Sequence, residues 1–215
     1  MTDGFSYHAA FARNLGWVTQ AEQDSLRGKR VAIAGMGGVG GVHLLTLARL
    51  GIGAFHIADF DTFDIANFNR QAGAMMSTLG QPKVAVLAQM ATDINPELEI
   101  KQFPGGIHDS NLAEFFAGVD LYVDGLDFFA FPARQATFAT CARLGIPAIT
   151  AAPLGMGTAV LSFMPGGMTF EEYFGWGDLP EEEKALRFLV GLAPAGLHGP
   201  YLVDLELWAE NQKGE

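Results

Sequence analysis

Cysteine is almost absent from this chain, because Cys141 is the only one among 215 residues. A single cysteine excludes an intramolecular disulfide and a zinc site built from two Cys-x-x-Cys pairs. The five histidines are scattered without a His-x-x-x-His spacing, so we expect no histidine metal site. Cys141 itself lies among apolar residues of a predicted helix, where a free cysteine packs as a small hydrophobic side chain.

Positive charge is also scarce, with 13 Lys and Arg against 24 Asp and Glu and a formal net charge of -11. Binding to a nucleic-acid backbone depends on clustered Lys and Arg, so nucleic acid is not an expected partner. Gly, Asp or Pro interrupts every apolar stretch well before the roughly 20 residues that a membrane-spanning helix needs. The N-terminus has no basic segment followed by an apolar one, and we therefore expect a cytoplasmic protein.

The residues that are present give a globular composition, with 49% hydrophobic and 17% charged residues. Short apolar segments alternate with helical segments, beginning with a strand at 30–35, a glycine-rich turn, a helix ending at Gly51 and a strand at 54–59. This order predicts an α/β, Rossmann-like fold, with a mostly parallel sheet and helices on both faces. Alternating apolar residues at 155–164 predict an antiparallel extension of that sheet.

Three segments are expected along the chain: an N-terminal helical segment at 1–29, a Rossmann-like domain at 30–165 and a C-terminal segment at 166–215. Within the last segment, residues 179–192 predict an acidic amphipathic helix that Pro180 opens. The final stretch, 201–215, lacks an apolar helix to complete the fold, and its part from Trp208 to Glu215 is polar. The chain is therefore expected to be truncated, divergent or completed by a partner. Its aromatic cluster is expected to pack in the core, with a docking surface as the alternative; the cluster consists of Phe170, Tyr173, Phe174 and Trp176.

The glycine-rich turn carries a nucleotide-binding pattern. Its sequence from Gly35 to Gly40 is GMGGVG, a G-x-G-x-x-G between a predicted strand and a predicted helix. Glycines allow backbone amides to approach phosphate, which then lies at the positive end of the helix. Asp59, at the end of the second strand, is placed to accept hydrogen bonds from ribose hydroxyls. Taken alone, the pattern indicates a nucleotide and leaves ATP and a dinucleotide open.

The stretch 59–71, DFDTFDIANFNRQ, favours a phosphate-handling site over a dehydrogenase. Arg70 can bind phosphate oxygens through its planar guanidinium, and Asn67 adds a neutral amide donor. Lys83 supplies a compact positive charge at the start of the next predicted helix. Asp61 is interpreted either as a site residue or as a cap of the loop that follows it.

A further acidic residue, Asp127, follows the fourth predicted strand at the edge where open sheets bind ligands. Its carboxylate is suited to hold Mg²⁺. Two cations and a carboxylate that converge on a triphosphate would stabilise the charge that develops during adenylyl transfer.

The stretch from Arg30 to about Met164 resembles the ThiF family, which includes the molybdopterin-synthase and thiamine-pathway adenylyltransferases and the ubiquitin-activating enzymes. The resemblance rests on five motifs in the family's order: GMGGVG, DFDTFDIANFNRQ, GQPK, DLYVDGLDFFAFPARQ and GIPAI. It implies a Rossmann-like enzyme that uses ATP and Mg²⁺. Some members also hold a structural zinc with two Cys-x-x-Cys pairs, and the single cysteine of this chain excludes such a site. Such enzymes activate a carboxylate, usually the C-terminal Gly-Gly of a ubiquitin-like protein, as an acyl-adenylate and release pyrophosphate.

The resemblance also assigns roles to residues. Nucleotide binding falls to the turn and to the acids after the second strand, namely Gly35, Gly37, Gly38, Gly40, Asp59 and Asp61. The catalytic set that it implies is Asn67, Arg70, Lys83, Asp127 and Arg13, with Asp127 near magnesium. Arg13 lies in the segment FARN, whose arginine in the family reaches a phosphate, often across a dimer interface. A homodimer is therefore the expected assembly.

The chain departs from the family in its cysteines and in the residues after Asp127, which are Phe128 and Phe129 where the family has Asn first. Without a reactive cysteine, the enzyme would stop at the adenylate or pass the acyl group to another molecule. The leading hypothesis is an adenylyltransferase acting on the C-terminal carboxylate of a small protein or peptide. The alternatives are a relative of the ATP-dependent dehydratases that act on a modified tRNA base, a non-catalytic partner-binding module and, disfavoured by 59–71, an NAD-dependent oxidoreductase.

Overall fold

A computed structural model describes residues 4–201 and places six strands in one sheet. The strands are β1 (Arg30–Ala34), β2 (Ala54–Ala58), β3 (Glu99–Phe103), β4 (Leu121–Asp124), β5 (Ala148–Leu154) and β6 (Gly157–Phe163). They lie in the order β3-β2-β1-β4-β5-β6, with parallel pairing throughout except between β5 and β6, which are antiparallel. The predicted parallel sheet and its antiparallel extension are confirmed.

Eight α-helices lie within the described residues: α1 (Tyr7–Phe11), α2 (Gln20–Arg27), α3 (Gly38–Leu50), α4 (Lys83–Ile94), α5 (Leu112–Phe115), α6 (Phe131–Leu144), α7 (Phe170–Phe174) and α8 (Glu181–Leu192). Local sequence sets several of their ends. Thr19 and Glu22 form a capping box at the start of α2, and Gly51 ends α3 in a left-handed conformation with φ of 92°. Within residues 4–201, none of these helices has the length and apolarity to cross a bilayer.

Helices lie on both faces of the sheet, because successive apolar side chains of β1 point to opposite faces and each face has to be covered. Val31 and Ile33 pack into one hydrophobic cluster with α3 and α4, whereas Ala32 and Ala34 belong to a second cluster on the opposite face. The second cluster is rich in aromatic side chains from α5 to α8. The central strands β1, β2 and β4 are therefore enclosed on both faces, which leaves their ends for contacts with other molecules.

The C-terminal aromatic residues pack in this second cluster. Phe170, Phe174 and Trp176 are buried, and the ring of Phe170 stacks on Phe138 of α6 with centroids 4.3 Å apart. Core packing, the default expectation for these residues, is confirmed, while Tyr173 stays 39% exposed. Residues 202–215, which include the polar stretch predicted at the end of the chain, lie outside the described residues.

Two elements extend beyond the bounds expected from the sequence. Helix α6 begins at Phe131, two residues before the predicted start, because Pro132 fits the first turn, where its missing N–H is not needed. Strand β5 extends from the predicted end at Thr150 to Leu154, because it pairs with β6 as far as Leu154 opposite Gly157. Neither extension changes the sheet order.

Candidate active site

The loops after β1, β2 and β4 lie at one edge of the sheet, because these strands are parallel neighbours. From β1 the chain proceeds to β2 and β3 on one side and returns to β4 and β5 on the other. This reversal between β1 and β4 is the topological switch point at which open α/β sheets bind ligands. All the predicted site residues except Arg13 follow one of these strands or begin the helix after one.

The glycine turn after β1 is packed so closely that side chains are excluded from it. Gly35 has φ of 85°, and a Cβ there would lie 2.1 Å from the carbonyl oxygen of Gly125, after β4. A Cβ on Gly40 would lie 1.8 Å from the carbonyl oxygen of Gly35. Gly37 caps α3 without a side-chain hydrogen bond, so no side chain of the cap competes for the first amides of the helix. Such amides form a binding site for an anion.

Asp59 joins the glycine turn to the loop after β2. Its carboxylate accepts a hydrogen bond from the Met36 amide at 2.6 Å and one from the Asp61 amide at 2.8 Å. Burial raises the pKa of the Asp59 carboxyl above its usual value, and the two amide donors oppose that shift. Each carboxylate oxygen keeps a further lone pair, so ribose binding by Asp59 stays a prediction that the geometry permits.

Asp61 and Lys83 form an ion pair at the start of α4. The Lys83 ammonium lies 3.0 Å from Asp61 Oδ2, and the Lys83 amide donates to the Asp61 carbonyl oxygen at 3.0 Å. The lysine side chain is only 8% exposed, whereas the Asp61 side chain is 51% exposed. An ammonium has three donors, and the pair uses one of them. Asp61 therefore orients a nearly buried positive charge.

Arg70 lies against the start of α3. A Cβ on Gly38 would lie 3.4 Å from Arg70 Cγ, so the arginine side chain passes directly beside the glycine turn. Its guanidinium donates to the Ala66 carbonyl oxygen at 3.0 Å and to Asn69 Oδ1 at 3.1 Å, and the side chain is exposed. Arg70 thus reaches the phosphate end of the predicted nucleotide site.

Asn67 fixes the short helix that precedes Arg70. It is 6% exposed, and its Oδ1 accepts a hydrogen bond from the Asp64 amide at 2.9 Å while the Asp64 carboxylate caps Ala66. The neighbouring Gln71 is also buried, with its Nε2 3.8 Å from the position of a Cβ on Gly37. Among the described residues, no partner is recorded for Gln71 Oε1. The sequence interpretation did not assign Gln71, although it directly follows Arg70 in the motif.

Asp127 lies in the loop after β4, which a buried arginine holds. The Asp127 side chain is exposed, and its Oδ1 accepts a hydrogen bond from the Phe129 amide at 3.0 Å. Arg134 of α6 pairs with Asp124 and donates to carbonyl oxygens of that loop. The sequence interpretation overlooked Arg134; its position after Pro132 in the motif DLYVDGLDFFAFPARQ was the available signal.

Arg13 is remote from the other predicted residues of its own chain. It is exposed, and the next residue, Asn14, donates to the carbonyl oxygen of Leu50 at the last turn of α3. The glycine turn is at the opposite end of that helix, about 20 Å away at 1.5 Å per residue. The structure therefore brings the other predicted residues to one edge and leaves Arg13 out of it.

The hydrogen-bond donors and positive charges of this arrangement are of the kinds that suit MgATP. A turn without Cβ atoms, the guanidinium of Arg70 and the ammonium of Lys83 all suit phosphate oxygens. Within residues 4–201, no three His, Cys, Asp or Glu side chains come together to hold a metal ion. Mg²⁺ is usually bound by one or two carboxylates together with substrate phosphates, and this role stays a prediction for Asp127.

The model of the ThiF family matches residues 11–191 of this chain. The tRNA threonylcarbamoyladenosine dehydratase of Bacillus subtilis is 34% identical over 141 residues, which are 65% of this chain and 55% of that protein. The sulfur carrier protein ThiS adenylyltransferase of Escherichia coli is 30% identical over 178 residues, which are 83% of this chain and 68% of that protein. This chain thus spans little more than half the length of the Bacillus relative.

Solved structures show the same likeness. The E. coli tRNA N6-threonylcarbamoyladenosine dehydratase in complex with ATP superposes with a TM-score of 0.63 and 25% identity, covering 70% of this chain and 67% of that one. The same enzyme in complex with AMP gives a TM-score of 0.66 and 27% identity, covering 70% and 61%. A Rossmann-like fold of this type therefore binds adenine nucleotides in a related protein.

Proposed function

The chain belongs to the ThiF family, and from this premise we propose that it is an ATP-dependent adenylyltransferase that activates a carboxylate. The observation that carries the proposal is a continuous set of contacts at the switch point. The glycine turn contacts Asp59 and Arg70, and the loop after Asp59 holds Lys83 through Asp61. These contacts bring together, at one edge of the sheet, groups that are suited to bind a ribose and phosphates, and this supports the proposal.

In the proposed reaction, a carboxylate oxygen attacks the α-phosphorus of ATP, the bond to the bridging oxygen breaks, and pyrophosphate leaves. Arg70 and Lys83 stabilise the negative charge that develops on the phosphate oxygens, and the start of α3 orients the triphosphate. Asp59 orients the ribose, and Asp61 keeps the Lys83 ammonium in place. No covalent bond to the enzyme is required.

Magnesium enters the proposal through Asp127. When bound, Mg²⁺ would offset charge on the phosphates. The exposed Asp127 carboxylate uses one oxygen for the Phe129 amide, which leaves the other oxygen for a metal ligand. This role depends on the loop after β4 keeping its position beside the glycine turn, where Gly125 adjoins Gly35.

A thioester step on Cys141 is not part of the proposal. Cys141 is buried in the aromatic cluster, and burial raises its pKa to about 12, so the thiol is neutral near pH 7. A neutral, inaccessible thiol is a poor nucleophile. The activated acyl group would therefore stay on AMP or pass to a nucleophile of another molecule.

The substrate that we propose is the C-terminal carboxylate of a small protein or peptide of the ubiquitin-like or sulfur-carrier class. The ThiS adenylyltransferase relative, whose name specifies a sulfur carrier protein, supports this choice. Charge supports it as well, because at least seven of the 13 Lys and Arg side chains pair with carboxylates of this chain. The carboxylate beside each of these cations reduces the positive potential that a nucleic-acid backbone would meet.

A second candidate is activation of a carboxylate on a modified tRNA base. The 34% identity to the Bacillus dehydratase and the superposition on the E. coli dehydratase favour it. The net charge of -11 opposes it. The two candidates share the ATP site and differ only in the molecule that carries the carboxylate.

The first test is binding of MgATP, followed as thermal stabilisation of the wild type, of Arg70→Ala and of a control, Arg143→Ala, which removes an exposed arginine at the end of α6. A ligand at 100 times its dissociation constant adds about 2.7 kcal/mol of stability when it binds only the folded state. We expect the wild type and the control to be stabilised and Arg70→Ala to lose most of the effect. Stabilisation by NAD alone, or by no nucleotide, would contradict the proposal; the second result would favour a non-catalytic partner-binding module.

The second test separates the substrates by ATP–pyrophosphate exchange. A peptide or carrier protein ending in Gly-Gly is expected to stimulate exchange in the wild type and not in Arg70→Ala. Stimulation by tRNA at low salt, where electrostatic affinity is greatest, would replace the protein substrate with the tRNA candidate.

A further inference from the structure

Arg134 is a nearly fully buried cation in the first half of α6. Its side chain is 2% exposed, and its Nε donates to Asp124 Oδ2 at 2.8 Å. Asp124, the last residue of β4, has a side chain that is 1% exposed and also accepts a hydrogen bond from Thr150 Oγ1 at 2.9 Å. Strand β4, strand β5 and helix α6 are thus joined through one carboxylate.

The remaining hydrogen bonds of Arg134 converge on the loop that carries Asp127. Its Nη2 donates to the carbonyl oxygens of Leu126 at 2.8 Å and Asp127 at 2.9 Å, and its Nη1 donates to that of Phe128 at 3.0 Å. Three successive carbonyl groups are therefore bound by one planar guanidinium, whose donors have a fixed geometry. The ring of Phe188, from α8, covers the guanidinium, and the distance from Arg134 Cζ to the ring centroid is 4.7 Å.

Stability alone is a poor reason for such an arrangement. A buried ion pair adds little to stability over a well-packed hydrophobic replacement, because both charges lose their hydration. The Asp127 side chain, in contrast, is exposed, and within residues 4–201 its one hydrogen bond is accepted from the Phe129 amide, two residues away. The position of its carboxylate therefore depends on the backbone that Arg134 binds.

We propose that Arg134 is a positioning residue that holds the loop 126–128, so that the Asp127 carboxylate stays at the phosphate edge of the site. The inference rests on the proposed function for the role of Asp127, whereas the restraint on the loop follows from the contacts of Arg134 alone. Arg134 itself does not need to touch a nucleotide, because it acts through the carbonyl groups of Asp127 and of the residues on either side of it.

The test uses Arg134→Lys, which keeps the positive charge and loses the planar set of donors. Two quantities are measured: hydrogen exchange of the amides in 126–130 without ligand, and the Mg²⁺ concentration that gives half of the MgATP-induced thermal stabilisation. We expect faster exchange confined to this loop and an apparent Mg²⁺ affinity weakened by about 10- to 100-fold, the usual effect of losing a residue that orients a metal ligand. Binding of ATP without Mg²⁺ is expected to change little.

Two variants on the same helix serve as controls. Arg143→Lys makes the same chemical change at an exposed position, and Cys141→Ala loosens the packing of α6 without a contact to the loop. Neither is expected to change the Mg²⁺ dependence. Phe188→Leu removes the ring over the guanidinium and leaves every hydrogen-bonding group intact, so a smaller change in the same direction is expected even if Arg134→Lys does not fold.

A double-mutant comparison with Asp127→Asn separates positioning from a general effect on the fold. If Arg134 acts through Asp127, Arg134→Lys adds no further loss of Mg²⁺ affinity to Asp127→Asn. Additive losses, or unchanged exchange of the 126–130 amides in Arg134→Lys and Phe188→Leu, would overturn the inference. Failure of the wild type to bind MgATP would instead overturn the proposed function, and the exchange measurement would still decide whether Arg134 restrains the loop.

Discussion

Two carboxylate–cation pairs lie at the carboxyl edge of the sheet and differ in exposure. Asp124 and Arg134 are both almost fully buried, whereas Lys83 is buried beside an Asp61 side chain that is half exposed. A half-exposed carboxylate keeps much of its hydration, so loosening its ion pair costs little compared with separating a fully buried one. The Asp61–Lys83 pair can therefore adjust so that the remaining ammonium donors meet a phosphate while the pair stays formed, whereas Arg134 stays fixed to its loop.

The buried thiol of Cys141 gives a prediction at the same scale. Its pKa is raised to about 12 in the folded protein, from 9.0 in the absence of burial. The folded state therefore retains the proton between these pH values when the unfolded chain has lost it, so the free energy of unfolding falls as pH rises from about 9 to about 12. Denaturant unfolding at pH 8 and pH 10 should show this fall, and Cys141→Ala should show a smaller one.

Alkylation tests the same thiol directly. We expect native protein at pH 8 to resist iodoacetamide and denatured protein to react, as mass spectrometry would record, because only an accessible thiolate is nucleophilic. Rapid labelling of the native protein would contradict the buried position. Loss of pyrophosphate exchange in a folded Cys141→Ala variant would contradict a reaction without a cysteine step.

At the scale of elements, the site depends on how closely two turns meet. The turn between β1 and α3 contacts the loop after β4 through Gly35 and Gly125, and Gly40 contacts Gly35 within the first turn. These contacts are between backbone atoms, so there is no flexible side chain that could move aside. The spacing of the two turns therefore fixes the distance between the first amides of α3, which are predicted to bind phosphate, and the Asp127 loop.

Gly40→Ala tests this close approach. The new Cβ would lie 1.8 Å from the Gly35 carbonyl oxygen, so the turn has to shift. Overpacking of this kind costs about 1–3 kcal/mol of unfolding free energy, and we expect loss of MgATP-induced stabilisation as well. Gly28→Ala is the matched control, because its Cβ would lie 3.6 Å from the nearest atom outside its chain neighbours. Normal MgATP binding by Gly40→Ala would show that the turn does not hold the phosphates.

At the scale of the whole molecule, Arg13 lies near the C-terminal end of α3 and is too far from the glycine turn of its own chain to contact a phosphate there. Asn14 is fastened to Leu50, and the glycine turn is at the other end of the helix. A role for Arg13 at the phosphates therefore requires a second copy of the chain, which is the homodimer that we propose. Oligomer interfaces with two-fold symmetry place the same residue of each copy against the other copy.

Mixing of inactive variants tests that assembly. Arg13→Ala and Arg70→Ala are each expected to be nearly inactive in pyrophosphate exchange. After unfolding and refolding together, random pairing makes half of the dimers mixed, and each mixed dimer has one intact site, so about a quarter of the wild-type activity should return. A mixture no more active than its components, or full activity of Arg13→Ala, would remove Arg13 from the site.

The sequence by itself determined the fold and the identity of most candidate site residues. Strand and helix patterns, together with the glycines at 35–40 and at Gly51, act over a few neighbouring residues, so a linear reading is enough to place them. The motif from Asp59 to Gln71 and the positions of Lys83 and Asp127 likewise identified groups suited to phosphate and metal. The glycine-rich pattern had left ATP and a dinucleotide open, and the likeness to a known family then specified ATP as the expected nucleotide.

Only the tertiary structure decided how those groups are held. Arg134 reaches Asp124 across 10 residues, Lys83 reaches Asp61 across 22, and Arg13 lies at the far end of α3. The sequence contains each of these residues, yet it does not say which carboxylate a buried cation will meet, because that depends on where strands and helices place their side chains once packed. Burial then affects how much each pair contributes to stability, because the free-energy cost of removing its two charges from water rises with burial.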